Sequence, residues 1–139
     1  MPSNNINIKS VAVIGAGVMG AQLAALFANK GIRSYLYDIT TDTSILGKDR
    51  LKIIKPPPLE QPEYIELIQA CGLDEDIHKI KKVDWIIEAV TEKIEIKVEV
   101  FKKVSPFIHE GAILSSNTSG ITLNGLIKNL PENLKSRFL

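Results

Sequence analysis

Residues 11–20, VAVIGAGVMG, decide which fold the sequence can adopt. The first four form a continuous β-branched and apolar run, which is typical of a strand buried on both faces of a parallel sheet. Three glycines follow with the spacing GxGxxG, directly before apolar residues at helical spacing. In a loop that holds a pyrophosphate, Gly15 would permit a tight turn, Gly17 would let the backbone approach the phosphates, and Gly20 would let helix and strand pack closely. A chance glycine-rich turn is the alternative.

The position of Asp38 in the sequence argues against a chance glycine-rich turn. Asp38 lies eighteen residues past Gly20, at the predicted end of the second strand. A carboxylate at that place accepts hydrogen bonds from an adenosine ribose, although a helix cap or a surface acid is the simpler alternative. No arginine follows it, since the next residues are Ile39-Thr40-Thr41. Because a carboxylate repels a ribose 2′-phosphate and no cation offsets it, the sequence favours NAD over NADP as the cofactor.

Length and composition limit the classes of protein to which the chain can belong. The 139 residues, 45% hydrophobic and 24% charged with a mean hydropathy of +0.08, are typical of one soluble globular domain, residues 1–139. A net charge of +1 with scattered cations indicates no nucleic-acid partner and no anionic membrane surface. The first ten residues lack the pattern of a secretory signal, and Cys71 is the single cysteine. We therefore expect a cytoplasmic location.

Strands and helices are predicted to alternate along the chain. Strands are expected at 11–14, 34–37, 64–70, 84–90 and 112–115, and helices at 19–28, 45–54, 74–82, 94–108 and 121–130. Residues 64–70 could also be a helical turn, although we favour the strand. In the helix at 94–108, Ile96, Val100, Phe101 and Val104 are expected to share the buried face. This alternation predicts an α/β protein with a Rossmann-type, doubly wound parallel sheet.

Polar groups follow two further predicted strands. Small Ala89 and the backbone around Val90 are expected to border the cofactor, while Glu88 or Lys93 contacts a ribose. Alternatively, Lys93 merely begins the next helix. The stretch ILSSNTSG, residues 113–120, is an unusual end for a core strand, because hydroxyl and amide side chains replace the aliphatic ones.

Those polar residues are expected to serve the nicotinamide side. Ser116 and Asn117 would project into the catalytic crevice, while Thr118 or Ser119 would cap the next helix. Helix capping by all of them is the alternative, but a cap needs a single side chain.

Four stretches together resemble a known family. VAVIGAGVMGAQLAALFANKG, YDI, DWIIEAVTEKIEIKVEVF and ILSSNTSG are similar, in order and spacing, to the NAD-binding domain of the 3-hydroxyacyl-CoA dehydrogenases. The similarity is greatest to long forms fused to an enoyl-CoA hydratase. It covers nearly the whole chain except residues 48–62, and the pairing of E-A-V with S-N-T-S is its most selective part.

The resemblance implies a site and an activity. Family members oxidise the 3-hydroxyl of a fatty acyl-CoA by passing hydride to NAD, so the implied partner is a 3-hydroxyacyl-CoA, and no metal is implied. Ser116 matches the serine that hydrogen-bonds near the reacting oxygen and is the predicted catalytic residue. The predicted cofactor-binding residues are Gly15, Ala16, Gly17, Val18, Met19, Gly20, Asp38, Ile39, Glu88, Ala89, Val90, Lys93 and Asn117.

The catalytic base of the family has no counterpart in this sequence. It is a histidine in an H-F-F-N-P stretch shortly beyond a segment like residues 136–139. The resemblance also implies that the fold is truncated before the last strand, whose carbonyl end is missing, and before the helical C-terminal domain. His78 and His109 are the only histidines, and both are predicted at the surface. We therefore expect NAD binding with negligible dehydrogenase activity by this chain alone. An exposed sheet edge would allow a homodimer. The alternatives are another Rossmann hydroxyacid dehydrogenase and a non-catalytic nucleotide-sensing module.

Overall fold

The computed structural model describes residues 7–90, 93–117 and 120–138, with the backbone alone for residues 120–122. The strands are β1 (Ser10–Ile14), β2 (Arg33–Asp38), β3 (Ile68–Gly72), β4 (Trp85–Glu88) and β5 (Ile113–Ser116). The helices are α1 (Val18–Asn29), α2 (Thr41–Arg50), α3 (Ile94–Val104), α4 (Gly120–Lys128) and α5 (Glu132–Lys135). Short 3₁₀ helices cover Pro62–Leu67, Ile77–Lys82 and Ser105–Phe107.

The strands of the described residues form one parallel sheet in the order β3-β2-β1-β4-β5. The chain winds outward from β1 in one direction through β2 and β3, and then returns to place β4 on the other side. The order therefore reverses between β1 and β4, and ligands of such sheets bind beyond the carboxyl ends of the strands at that point. The predicted fold class is confirmed.

Alternating residues of β1 face two separate cores. Val11 and Val13 pack with the alanines of α1, including Ala24, on one face of the sheet. Ala12 and Ile14 contribute to the core on the other face, which contains buried residues of α3 and α4. Because both faces of the sheet are covered, the sequence of β1 is a continuous apolar run. The small side chains of α1 allow that helix to lie close to the sheet.

The region between β2 and β4 departs from the predicted boundaries. Residues 64–67 belong to a 3₁₀ helix, and the strand begins only at Ile68, so both interpretations of 64–70 were partly right. Helix α2 starts four residues earlier than predicted because the hydroxyl of Thr40 accepts a hydrogen bond from the Thr43 amide, 3.1 Å away, and caps it. The predicted caps Thr118 and Ser119 lie outside the described residues.

Pairing continues beyond β5 at one point. Leu114 forms a parallel bridge with Phe138, and its amide donates to the Arg137 carbonyl at 3.1 Å. This position is the one that a sixth strand takes in the doubly wound order. Among the described residues, no helix combines the length and the apolar character needed to cross a membrane.

Candidate functional site

The turn between β1 and α1 keeps a space free above Gly17. Gly15 has a φ of 116°, and a Cβ on it would lie 2.5 Å from the Ala89 carbonyl oxygen. A Cβ on Gly20 would lie 1.7 Å from the Gly15 carbonyl oxygen, so α1 packs directly against the end of the strand. A Cβ on Gly17, in contrast, would meet no described atom within 4 Å. Gly15 and Gly20 are therefore required by the fold, whereas Gly17 leaves room for a group from outside the chain.

The start of α1 directs hydrogen-bond donors into that space. Gly17 is the N-cap with an extended backbone, and the described structure gives the helix no side-chain cap and no acidic residue in its first turn. The amide groups of the first turn, including those of Val18 and Met19, therefore have no intrahelical acceptor. Together with the positive end of the helix dipole, they form a site suited to an anion such as a phosphate.

Asp38 lies at the mouth of the same turn and is fixed by the backbone. Its Oδ2 accepts from the Ala16 amide at 2.8 Å, and its Oδ1 accepts from the Ile39 amide at 2.7 Å. The Gly15 amide donates to the Tyr37 carbonyl at 2.7 Å, which ties the turn to β2 a second time. The acid and the glycine-rich turn, separated in sequence, are therefore held as one unit.

A cavity of about 480 Å³ opens between these elements. Eight of the predicted cofactor residues line it: Gly15, Gly17, Val18, Met19, Asp38, Ile39, Ala89 and Val90. A second groove, of about 330 Å³, adjoins it where Ile39 and Ile96 face Leu73. The apolar walls formed by Ile39, Leu73 and Ile96 are suited to the flat face of a ring, and a cavity of this size is typical of small-molecule sites.

Buried titratable groups on this side of the site are kept neutral. Burial raises the pKa of the Cys71 thiol to about 11, and burial also raises the pKa of Tyr37 well above its usual range. The Tyr37 hydroxyl donates to the Asp76 carbonyl oxygen at 2.7 Å. The Gly72 amide, which donates to the Asp76 carboxylate, holds the pKa of that acid below its ordinary value.

The ends of β4 and β5 carry a different arrangement, an ion pair removed from water. Glu88 and Lys97 are both fully buried, and Lys97 Nζ lies 2.7 Å from Glu88 Oε2. The same oxygen accepts from the Val90 amide at 2.7 Å, and Lys97 Nζ also donates to the Val90 carbonyl at 3.3 Å. The other carboxylate oxygen accepts from the Ser116 hydroxyl. This group of four residues, Glu88, Val90, Lys97 and Ser116, is called the buried network below.

The predicted residues at this end differ in their surroundings. Ser116 is half-buried and lies opposite Glu88 in the β4–β5 register. Asn117 is exposed, and its amide donates to the Glu88 carbonyl at 2.8 Å. Lys93 is exposed at the N-cap of α3, as its simpler interpretation predicted. The Glu88 side chain, predicted to border the cofactor, faces the buried network.

Lys97 is the residue that sequence reasoning missed. Ile96, predicted on the buried face of α3, is 40% exposed and borders both cavities, while Lys97 is buried together with Val100, Phe101 and Val104. The prediction for Ile96 was wrong because the buried face was assigned from apolar residues alone. The spacing of 97 to 100, 101 and 104 is helical and could have identified the position, but a lysine is rarely buried without a partner.

Neither histidine lies beside the ends of β4 and β5. His78 is exposed in the 3₁₀ helix Ile77–Lys82, and the side chain of His109, 38% exposed, has its Nε2 3.6 Å from Asp84, just before β4 begins. The surface placement predicted for both is confirmed. Within the described residues, no group of three or more histidine, cysteine or acidic side chains is arranged to hold a metal ion.

The sheet order, the glycine turn and the adjoining acid define a dinucleotide-binding domain. Residues 10–138 match the family described as 3-hydroxyacyl-CoA dehydrogenase, NAD binding domain, and the chain belongs to that family. The cofactor of the family is NAD, as the sequence predicted.

Relatives and solved structures agree with this assignment. The chain is 42% identical over 95% of its length to a putative fatty acid oxidation complex trifunctional enzyme of Rickettsia felis, and 38% identical over 96% to a probable 3-hydroxyacyl-CoA dehydrogenase of Deinococcus radiodurans. It spans 19% and 41% of these two relatives. The crystal structure of (S)-3-hydroxybutyryl-CoA dehydrogenase from Ralstonia eutropha matches 95% of the chain with a TM-score of 0.74 and 26% identity, and the match covers 48% of that protein.

Proposed function

We propose that the chain binds NAD along the carboxyl edge of the sheet and supplies the cofactor site of an enzyme that oxidises 3-hydroxyacyl-CoA to 3-oxoacyl-CoA in fatty acid β-oxidation. One observation carries the first half: Gly17 leaves an open space at the helix start while Asp38, 2.8 Å from the Ala16 amide, borders the same cavity. The names of the relatives support the second half.

Each part of the cofactor has residues that fit it. The pyrophosphate would lie above Gly17 and accept from the amides at the start of α1, with Val18 and Met19 beside it. The adenosine ribose would donate to the carboxylate of Asp38, and the adenine would lie in the apolar groove at Ile39. The remaining cofactor residues of the proposal are Gly15, Ala16, Gly20, Glu88, Ala89, Val90, Lys93 and Asn117.

The substrate would meet the far end of this edge. When bound, NAD supplies the hydride acceptor for the alcohol carbon. Ser116, at the end of β5, would hydrogen-bond the reacting oxygen of the substrate, and Asn117 would contact the nicotinamide ribose. Since neither His78 nor His109 lies near these residues, the chain holds no histidine that could take the alcohol proton there. We therefore propose cofactor binding without turnover by this chain alone.

We further propose that residues 1–139 form one domain and that the protein is cytoplasmic. The single cysteine, Cys71, is buried and forms no disulfide, which is consistent with a reducing compartment. Sedimentation analysis would test the homodimer, which stays a prediction.

Calorimetric titration tests the proposed cofactor. NADH should bind, and NADPH should bind at least about tenfold more weakly, because the Asp38 carboxylate repels a 2′-phosphate. Asp38→Asn keeps the size of the side chain and removes its charge, so the preference for NADH should fall by about tenfold, whereas Asp42→Asn, at an exposed acid of α2, should leave it unchanged. Tighter binding of NADPH than of NADH by the unmodified chain would reject the proposal.

A second substitution tests the position of the phosphates. Gly17→Ala should weaken NADH binding by about a hundredfold, because its Cβ enters the space above the turn, while the fold is unaffected. Gly111→Ala, in a turn outside both cavities, is the control, and its Cβ would lie 3.3 Å from the ring of His109, whose side chain is 38% exposed and can shift. Measurable oxidation of NADH with acetoacetyl-CoA by the isolated chain would contradict the proposed lack of turnover.

A further inference from the structure

The two sulfur-containing side chains of the described residues have opposite surroundings. Cys71 is fully buried, and burial raises the pKa of its thiol to about 11, so little of the reactive thiolate forms at neutral pH. Met19, in contrast, is 56% exposed. The other methionine, Met1, lies outside the described residues. An oxidant in solution therefore reaches Met19 more readily than Cys71.

Met19 lies where the phosphates of the cofactor would be held. It is the second residue of α1, after the N-cap Gly17 and Val18, and it lines the cavity of about 480 Å³. It also lines a separate groove of about 330 Å³, which is formed between α1 and Pro58 and contains the exposed Leu26. Solvent therefore approaches Met19 from two sides.

A peroxide oxidises an exposed methionine to the sulfoxide. A lone pair of the sulfur attacks one peroxide oxygen, and the O–O bond breaks as the S–O bond forms. The sulfur is oxidised by two electrons, and hydrogen peroxide is reduced, its second oxygen leaving with both hydrogens as water. An apolar side chain thereby becomes a polar one that carries a hydrogen-bond acceptor.

The new oxygen of Met19 would be within reach of the amides at the start of α1. It is bonded to Sδ, so it is as many bonds from Cα as the Oε1 of glutamate or glutamine, and those side chains reach back to a free amide in a capping box. The described structure gives α1 no side-chain cap and no acidic residue in its first turn. The sulfoxide oxygen, with its partial negative charge, would therefore accept from the donors that the pyrophosphate needs.

We infer that Met19 is a modification site: a peroxide converts its thioether to the sulfoxide, whose oxygen competes with the cofactor pyrophosphate for the amides at the start of α1. This inference rests on the proposed NAD binding. The modification lowers the affinity for the cofactor under oxidising conditions. It is reversible, because methionine sulfoxide reductases restore the thioether.

Peroxide treatment followed by calorimetry tests this inference. The chain is treated with hydrogen peroxide until mass spectrometry of its peptides shows full conversion of Met19, and it is then titrated with NADH. The affinity should fall by about tenfold, and two methionine sulfoxide reductases, one for each epimer, should restore it. The inference is overturned if Met19 resists oxidation in the folded chain, if its full oxidation leaves the affinity unchanged, or if the reductases do not reverse the loss.

Fragments of the cofactor locate the effect at the phosphates. ADP carries two phosphates without the nicotinamide half, and it should lose about the same factor as NADH on oxidation of Met19. Adenosine carries no phosphate, and its weak binding, followed by ligand-observed NMR, should change by less than about twofold. The midpoint of urea unfolding should stay the same, because Met19 is exposed. Equal losses for adenosine and ADP, or a lowered midpoint, would show a general disturbance of the structure and contradict the inference.

Two variants test whether the position of the sulfur matters, each compared with itself before and after treatment. Met19→Leu has no sulfur at the helix start, so peroxide should not change its affinity for NADH. Met19→Leu with Leu26→Met places an exposed thioether two turns farther along α1, outside the cofactor cavity, and its oxidation should also leave the affinity unchanged. A tenfold loss in either variant would assign the effect to another residue and reject the inference. Failure of the untreated chain to bind NADH would reject the proposed function as well, whereas normal binding that is insensitive to oxidation of Met19 rejects this inference alone.

Discussion

The two halves of the carboxyl edge of the sheet are prepared for a ligand in opposite ways. Above β1 and β2 the site is defined by an open space over Gly17, and Asp38 is the one polar side chain among the described residues that line the cavity of about 480 Å³. Above β4 and β5 the polar groups are held in place by the buried pair Glu88 and Lys97. The first half therefore depends on shape, and the second depends on charge balance.

The buried titratable groups show the same difference. Under the first half, burial raises the pKa of both Tyr37 and Cys71, so the two groups stay neutral, and the Lys79 ammonium group offsets this only in part for the thiol. Under the second half, Glu88 and Lys97 compensate each other at contact distance. Replacing one buried titratable side chain should therefore lower the unfolding free energy far more in the second half, where it leaves an unpaired charge, than in the first.

Breaking the ion pair should give the largest effect on stability. Lys97→Ala leaves Glu88 buried without a partner, and we expect a loss of about 3–5 kcal/mol of unfolding free energy. Urea unfolding followed by the fluorescence of Trp85, the single tryptophan, would measure it. The neutral pair Glu88→Gln with Lys97→Met should recover most of the loss, and Lys102→Ala should cost less than about 1 kcal/mol. A Lys97→Ala variant of unchanged stability would mean that the pair adds nothing.

Adding one atom to the shape-dependent half should have the next largest effect. The Cβ of Gly20→Ala would lie 1.7 Å from the Gly15 carbonyl oxygen, so α1 would have to move away from β1 at a cost of about 3 kcal/mol. Gly17→Ala meets no such obstacle and should change the unfolding free energy by less than about 1 kcal/mol. Equal losses in the two variants, measured by the same urea unfolding, would contradict the division between a structural and a ligand-facing glycine.

The shape-dependent half was also the half that sequence could predict. Its geometry is local: a buried run ends in GxGxxG, and Asp38 follows at the end of the next strand. The backbone contacts of Gly15 and Gly20 agree with the roles that the spacing predicts. The alternation of strands and helices predicts a parallel sheet with right-handed crossover connections, and the order of its strands is a finding of the structure.

The charge-dependent half could be predicted only in part. Glu88 and Ser116 were identified as polar strand ends, but their hydrogen bond depends on the pairing of β4 with β5. Lys97 was missed because its burial makes sense only once Glu88 is seen to face it. Residues 64–67 of the 3₁₀ helix Pro62–Leu67 were assigned to a strand in preference to a helical turn, because such a short turn carries no clear periodicity.

The packing of helix α2 against the glycine-rich turn can be tested at Gly47. A Cβ on Gly47 would lie 2.4 Å from the Ala16 carbonyl oxygen, and the Ala16 amide donates to Asp38. Gly47→Ala should therefore cost about 1–3 kcal/mol of stability and weaken NADH binding by about tenfold, since it moves the turn and the acid together. Leu46→Ala, at the 63% exposed neighbour, is the control and should bind normally. Calorimetry with an unchanged affinity for Gly47→Ala would show that the turn tolerates the displacement.

Alkaline pH should reveal the smallest difference, that of a thiol whose pKa is raised mainly by burial. The unfolded chain loses the Cys71 proton above the ordinary pKa of 9.0, whereas burial raises the folded pKa to about 11, so the native state retains the proton between these values. Because the native state then binds more protons than the unfolded state, its stability falls as the pH rises from 9.0 towards about 11. Cys71→Ala removes this contribution, so between pH 8 and pH 10 the unmodified chain should lose about 1 kcal/mol more than the variant does in urea unfolding. Equal losses would mean that the thiol ionises in the native state as readily as in the unfolded one.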